Sequence, residues 1–376
     1  MARDSGSDGG QSGNKVPEDG VLEDEMPEGD VLQSASDLEP PTRVSTRVDY
    51  DAPGRQIGNL VVPHSRDDSA WGSVPVPVAV IANGTGPTLL LTGAAHGDEY
   101  EGPIALMKLI RSLDLAEIQG RVIVLPTTNL PAVRAGTRLS PIDGLNLNRV
   151  YPGQRAGTVT EMIAHYIHAH LLPMADGVVD LHSGGRTLDF VPSAVMHYLD
   201  DADRMARTLD AVRAFGAPFG LVLRELDSQG MLDTAVEEAG RIFVSTELGG
   251  AGTVRRQAVE IAETGVRNLL AHFGLLDEPV VPPEARGRPA TRMMHTPDDT
   301  SYVLGDDAGI YEPAVELGEP VAEGQVIGHV HFFEHPGEAP RPYRADGPGV
   351  LYCRHAPGLV QRGDCLAVIA RDYPDG

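Results

Sequence analysis

Between residues 76 and 276, short apolar runs alternate with longer stretches of helical periodicity, and few folds accommodate that alternation. Residues 76–82 (VPVAVIA), 88–92 (TLLLT), 122–125 (VIVL), 178–181 and 242–246 (IFVST) read as strands. Residues 103–113 read as a helix, with Pro103 in its first turn and Ile104, Leu106, Leu109, Ile110 and Leu113 as an apolar stripe. Residues 158–172 open on a capping box, Thr158 and Glu161, and place Ile163, Ile167 and Leu171 on one face. Residues 259–276 form a long amphipathic pattern. Strands alternating with helices predict an α/β domain over residues 41–277 with a largely parallel central sheet.

The flanks have a different character. Residues 1–40 hold 11 acidic groups against Arg3 and Lys15, lack aromatics and show no apolar periodicity, so they are expected to be a disordered acidic tail. Residues 278–290 (EPVVPPEARGRPA) suit a linker. After them, short β-like runs at 308–310, 326–330, 349–353 and 366–370 sit between turn residues, and residues 291–376 resemble the barrel-sandwich module of biotinyl and lipoyl carrier domains. No lysine follows Lys108, so this module cannot carry a lysine-linked prosthetic group. A structural role, capping the site, is expected of it.

Net charge is −24, which disfavours a phosphate-backbone partner, so no nucleic acid is expected. No apolar run reaches the roughly 18 residues that cross a bilayer, and the N-terminus lacks a secretory pattern. No membrane association and a cytoplasmic location are therefore expected. Cys353 and Cys365 do not form a metal-ligand pair and are expected to be reduced thiols.

Chemistry concentrates where strands end. The segment Thr92-Gly-Ala-Ala-His96-Gly-Asp-Glu99 follows one apolar run and leads into the helix of Pro103. Spacing of three on a first helical turn, or the loop entering it, brings His96 and Glu99 to one side. A catalytic zinc takes three protein ligands of this kind and keeps one position open. Asp180-Leu-His182 ends another run and supplies the third candidate, His182. Active sites of open α/β sheets form outside the carboxyl ends of strands, where both segments can meet. Asn146-Leu-Asn148-Arg149, Gly136-Thr-Arg138 and Ser245-Thr-Glu247-Leu-Gly249-Gly250 add amides, guanidinium groups and a carboxylate. Taken singly, Asn148 could cap a turn, Arg149 could be a surface charge, and Glu247 could pair with Arg255.

In this order the motifs resemble the succinylglutamate desuccinylase/aspartoacylase family, relatives of the zinc carboxypeptidases, over about residues 85–275. The resemblance implies a zinc-carboxypeptidase-like mixed sheet with helices on both faces. It implies one Zn2+ per chain held by His96, Glu99 and His182. By the same resemblance Arg138 polarises the scissile carbonyl, Asn148 and Arg149 grip the substrate carboxylate, and Glu247 is the general base. The implied activity is hydrolysis of a small N-acyl amino acid. Longer stretches, including Gly97-Asp-Glu-Tyr-Glu-Gly-Pro103 and His182-Ser-Gly-Gly-Arg-Thr-Leu-Asp-Phe190, are similar to the subgroup that deacetylates Nα-acetyl-L-2,4-diaminobutyrate in ectoine degradation. Such a substrate carries an ammonium, for which Asp189, Asp227 and Asp233 are candidate partners. Alternatives are deacylation of N-acetylaspartate or N-succinylglutamate, with Arg186 or Arg224 for the second carboxylate, and a non-catalytic solute-binding protein on the same scaffold. A homo-oligomer is possible.

Overall fold

The computed structural model describes residues 42–224 and 229–374; the acidic stretch 1–40 lies outside the described residues. The apolar runs form the middle of one mixed sheet. Strand Thr88–Gly93 lies between Gly120–Leu125 and Gly177–His182, parallel to both, and Ile242–Glu247 adds parallel to Gly177–His182. On one side, Ser73–Asn83 and Gly54–Pro63 extend the sheet antiparallel. On the other, Ser193–His197 pairs antiparallel with Ile242–Glu247, and Phe219–Leu223 runs parallel to Ser193–His197.

Side chains alternate across the sheet, so a strand apolar at every position must be covered twice. Leu89 and Leu91 pack with Leu106, Val212 and Leu269 from helices Glu101–Ser112, Ala202–Phe215 and Arg256–His272. Leu90 points the other way, into a cluster with Ile163 of helix Val159–Tyr166 and Val236 of helix Leu232–Glu238. All three leucines are fully buried, each contributing about 1.5–3 kcal/mol relative to exposure. The capping box at Thr158 and Glu161 is present, but the regular helix stops at Tyr166 and passes through a wider π turn, Ile167–Leu171. Apolar periodicity does not register that change of pitch.

Beyond the expected linker, strand Arg292–Thr296 pairs parallel with Phe219–Leu223. Cys365–Asp372 and Gly349–His355 then continue the same sheet antiparallel. A separate antiparallel sheet contains Arg341–Arg344, Val326–His331, Gly309–Pro313 and Leu359–Val360. Its Ile327, Val330 and Tyr343 share a buried cluster with Leu351, Leu366 and Ile369 of the large sheet. Cys353 and Cys365 are free thiols. Among the described residues no helix is long and apolar enough to cross a membrane.

Candidate active site

Three parallel strands deliver the site from one edge. Gly93 pairs with Leu181, and Glu247 pairs with His182, so the ends of Thr88–Gly93, Gly177–His182 and Ile242–Glu247 lie level. His182 and Glu247 are the last residues of their strands. His96 and Glu99 lie on the connection between Gly93 and helix Glu101–Ser112, not in the helix itself.

Backbone geometry holds that connection tightly. Ala94 adopts a left-handed conformation, φ 52°, which costs a non-glycine residue about 1–3 kcal/mol. The carbonyls of Gly93 and Ala94 accept from the backbone N–H groups of Thr128 and Asn129, which fixes the turn. Gly97 follows because a Cβ there would stand 1.9 Å from the carbonyl carbon of Ala132. Gly102 packs on the strand of His182: a Cβ would stand 2.5 Å from that of Leu181.

This scaffold brings His96, Glu99 and His182 together, with one ligand atom from each within 4.8 Å of the others. All three are buried. Nδ1 of His96 lies 2.6 Å from Glu99 Oε1, and Nδ1 of His182 lies 2.9 Å from Glu99 Oε2. Both outer nitrogens are occupied. His96 Nε2 is 3.0 Å from Asn146 Oδ1, and His182 Nε2 is 2.8 Å from Asp180 Oδ2. Thr92 donates to Asp180 Oδ1 at 2.7 Å. With Nε2 protonated toward these acceptors, both Nδ1 lone pairs face the carboxylate, as coordination of a cation requires. Two imidazole nitrogens and one carboxylate oxygen form a donor set that zinc accepts, so the residues fit the metal.

Charge follows the geometry. Burial pushes Glu99 up, but the fields of His96 and His182 outweigh it and hold the carboxyl well below its usual range. Burial pulls His182 down, and the adjoining Asp180 and Glu99 overcome that and raise it well above an ordinary imidazole. Glu247 is pushed up to about 8, first by burial and then by the Glu99 charge. Its Oε2 is buried without a hydrogen-bond partner among the described residues. A cation in the triad would draw this carboxyl down, toward the range useful to a general base near neutrality.

The remaining candidates border the same space. A cavity of about 460 Å³ is lined by the triad together with Arg138, Asn148, Arg149 and Glu247. Arg138 Nη1 lies 3.4 Å from His96 Nδ1 and 3.8 Å from Glu99 Oε1, with its side chain half exposed. Asn148 Oδ1 accepts from the backbone N–H of Leu232 at 2.8 Å, and Arg149 donates to the Asn148 carbonyl at 2.7 Å. The proposed pairing of Glu247 with Arg255 is not made; Arg255 pairs with Asp189 instead. Tyr302 and Tyr352, from the C-terminal stretch, also line the cavity. Tyr352 is bonded to Ser193 through its hydroxyl at 2.6 Å.

Asp180 and Asn146 were not singled out from sequence. The signal for Asp180 is present, since residues two apart on a strand share a face and an acid inside VVDLH is otherwise anomalous. Substituting Asp180→Asn is expected to weaken metal binding about 10–100-fold, because the amide no longer holds the imidazole as a charged acceptor. Competition with a chromophoric chelator measures this. Unchanged affinity would remove Asp180 from the account.

Residues 85–273 match the family model described as the succinylglutamate desuccinylase/aspartoacylase catalytic domain. The N-alpha-acetyl-L-2,4-diaminobutyric acid deacetylase of Halomonas elongata is 49% identical over 331 residues, spanning 88% of this chain and 95% of that protein. Among solved structures, the product-bound ectoine utilization protein EutE of Ruegeria pomeroyi aligns with TM-score 0.85 and 47% identity over 89% of this chain and 100% of that one. A succinylglutamate desuccinylase from Silicibacter aligns with TM-score 0.84 and 46% identity over the same shares.

Proposed function

Because the chain belongs to the succinylglutamate desuccinylase/aspartoacylase family, we propose that it hydrolyses Nα-acetyl-L-2,4-diaminobutyrate to acetate and L-2,4-diaminobutyrate in ectoine degradation. The observation that carries the reading is the near full-length similarity to a deacetylase of that substrate. The cavity geometry is consistent with the chemistry required.

In this reading His96, Glu99 and His182 hold one zinc ion per chain. When bound, zinc supplies Lewis acidity, which makes attack by water feasible near neutral pH. The chain's own residues do the rest. Glu247 takes a proton from the attacking water and returns it to the departing amine. The guanidinium of Arg138, beside His96 and Glu99, donates to the carbonyl oxygen as negative charge develops on it. Arg149 and the amide of Asn148 bind the α-carboxylate; Asn148 is fixed by its bond to Leu232. Residues 291–376 act as a barrel-sandwich module that caps the site, in keeping with Tyr302 and Tyr352 lining the cavity.

The substrates with a second carboxylate fit less well. N-acetylaspartate or N-succinylglutamate would call for another cation in the cavity, and neither Arg186 nor Arg224 is among its lining residues. Acetate and succinate release from the three substrates tests the choice. The diaminobutyrate derivative is expected to have the highest kcat/KM by about 100-fold or more. Faster release from either of the others would reject the substrate proposed.

A further inference from the structure

We propose that Asp143, which does not line the catalytic cavity, is a positioning residue that holds Arg138 in place for the reaction. The proposal rests on the role of Arg138 in the deacetylase reading and adds what fixes that guanidinium. Arg138 lines the cavity with its side chain half exposed. It lies on the segment 136–149, which also carries Asn146, Asn148 and Arg149. The far end of this segment is fixed at the site: Asn146 meets His96, and Asn148 meets Leu232. At the near end the Thr137 carbonyl accepts from the backbone N–H of Gly97 at 2.9 Å. Between these ends Leu139 and Ile142 are exposed, so apolar burial contributes little to holding the chain there.

Polar ties take its place. The Gly144 N–H donates to the Ser140 carbonyl at 2.8 Å and the Ser140 N–H to the Leu145 carbonyl at 3.0 Å, which closes residues 140–145 into a compact turn. Asp143 joins that turn to the core. Its Oδ2 accepts from the backbone N–H of Thr160 at 2.9 Å and its Oδ1 from the Thr160 hydroxyl at 2.8 Å. Thr160 is fully buried in the first turn of helix Val159–Tyr166, where backbone N–H groups lack intrahelical partners and an anion is favoured. Met162 and Ile163 anchor that helix in the apolar cluster of Leu90. Burial pushes the Asp143 carboxyl up, but the two bonds from Thr160 outweigh it and hold it below its usual range, so the tie is ionised at neutral pH. Asp143 differs from the acids considered for a substrate ammonium: Asp189 pairs with Arg255, Asp233 lines the cavity, and Asp227 lies outside the described residues. It acts on the reaction through the backbone that carries Arg138, and a displacement of about 1 Å at a reacting group can cost about 100-fold in rate.

A double-mutant cycle in kcat, on enzyme of matched zinc content, tests this. Arg138→Ala should lower kcat about 100-fold or more. Asp143→Ala should lower it about tenfold or more. Added to Arg138→Ala, Asp143→Ala should cost less than about threefold further, because the group it positions is gone. A merely structural role lowers the folded fraction equally in both backgrounds, so its losses would multiply. Losses that multiply, or an Asp143→Ala kcat within about threefold of wild type, would overturn the proposal. Wild-type kcat in Arg138→Ala would reject the role of Arg138 and the proposal with it. Hydrogen exchange reads the tie without turnover: in Asp143→Ala, amides of residues 138–145 should exchange at least about tenfold faster, while those of strand Thr88–Gly93 keep their rates. Unchanged exchange over residues 138–145 would also overturn the proposal. Absence of wild-type turnover would reject the deacetylase reading, and the exchange result would still decide whether Asp143 holds the segment.

Discussion

Glu247→Gln should keep its metal and lose about a thousandfold in kcat. Glutamine preserves the shape of the side chain and cannot accept a proton. The rest of the site is untouched, since the Glu247 Oε2 has no hydrogen-bond partner among the described residues whose loss could disturb its neighbours. Stability should hold or rise, because the substitution removes an acid that burial and the Glu99 charge disfavour in its ionised form. KM should change little, as Arg149 and Asn148 are expected to carry ground-state binding. Steady-state acetate release with zinc content measured on the same sample checks this. Near-normal kcat in a zinc-loaded variant would reject Glu247 as the base.

The sheet was legible because its runs are apolar at successive positions. Thr88–Gly93 and Gly177–His182 can only be strands covered on both faces, and their carboxyl ends then locate the chemistry. His96, Glu99 and His182 stood out for the same reason, as polar groups at the ends of apolar runs. The order of the outer strands was not legible. Arg292–Thr296 pairs with Phe219–Leu223 across some 70 residues, and nothing local in either segment encodes that register. The roles of Asn146 and Asp180 depend on which imidazole nitrogen faces inward, a property of the folded turn at Ala94 and Gly97. Tyr352 is likewise a buried aromatic in a late strand, and only the sheet brings it to Ser193.

His182→Ala should lose both metal and activity. The ring supplies one of three candidate donors, and a site of three protein ligands has none to spare. The substitution also leaves Asp180 and Glu99 as buried carboxylates without their shared partner, so the metal-free variant should melt lower than the metal-free wild type. Glu247→Gln provides the contrast: each variant is inactive, but only His182→Ala is expected to be empty of metal. The most direct measurement is elemental analysis of wild type and His182→Ala after chelator stripping, reloading with zinc and desalting. One zinc per wild-type chain and less than about a tenth as much in the variant is expected. Stoichiometric zinc retained by His182→Ala, or none taken up by the wild type, would contradict a metal centre at His96, Glu99 and His182.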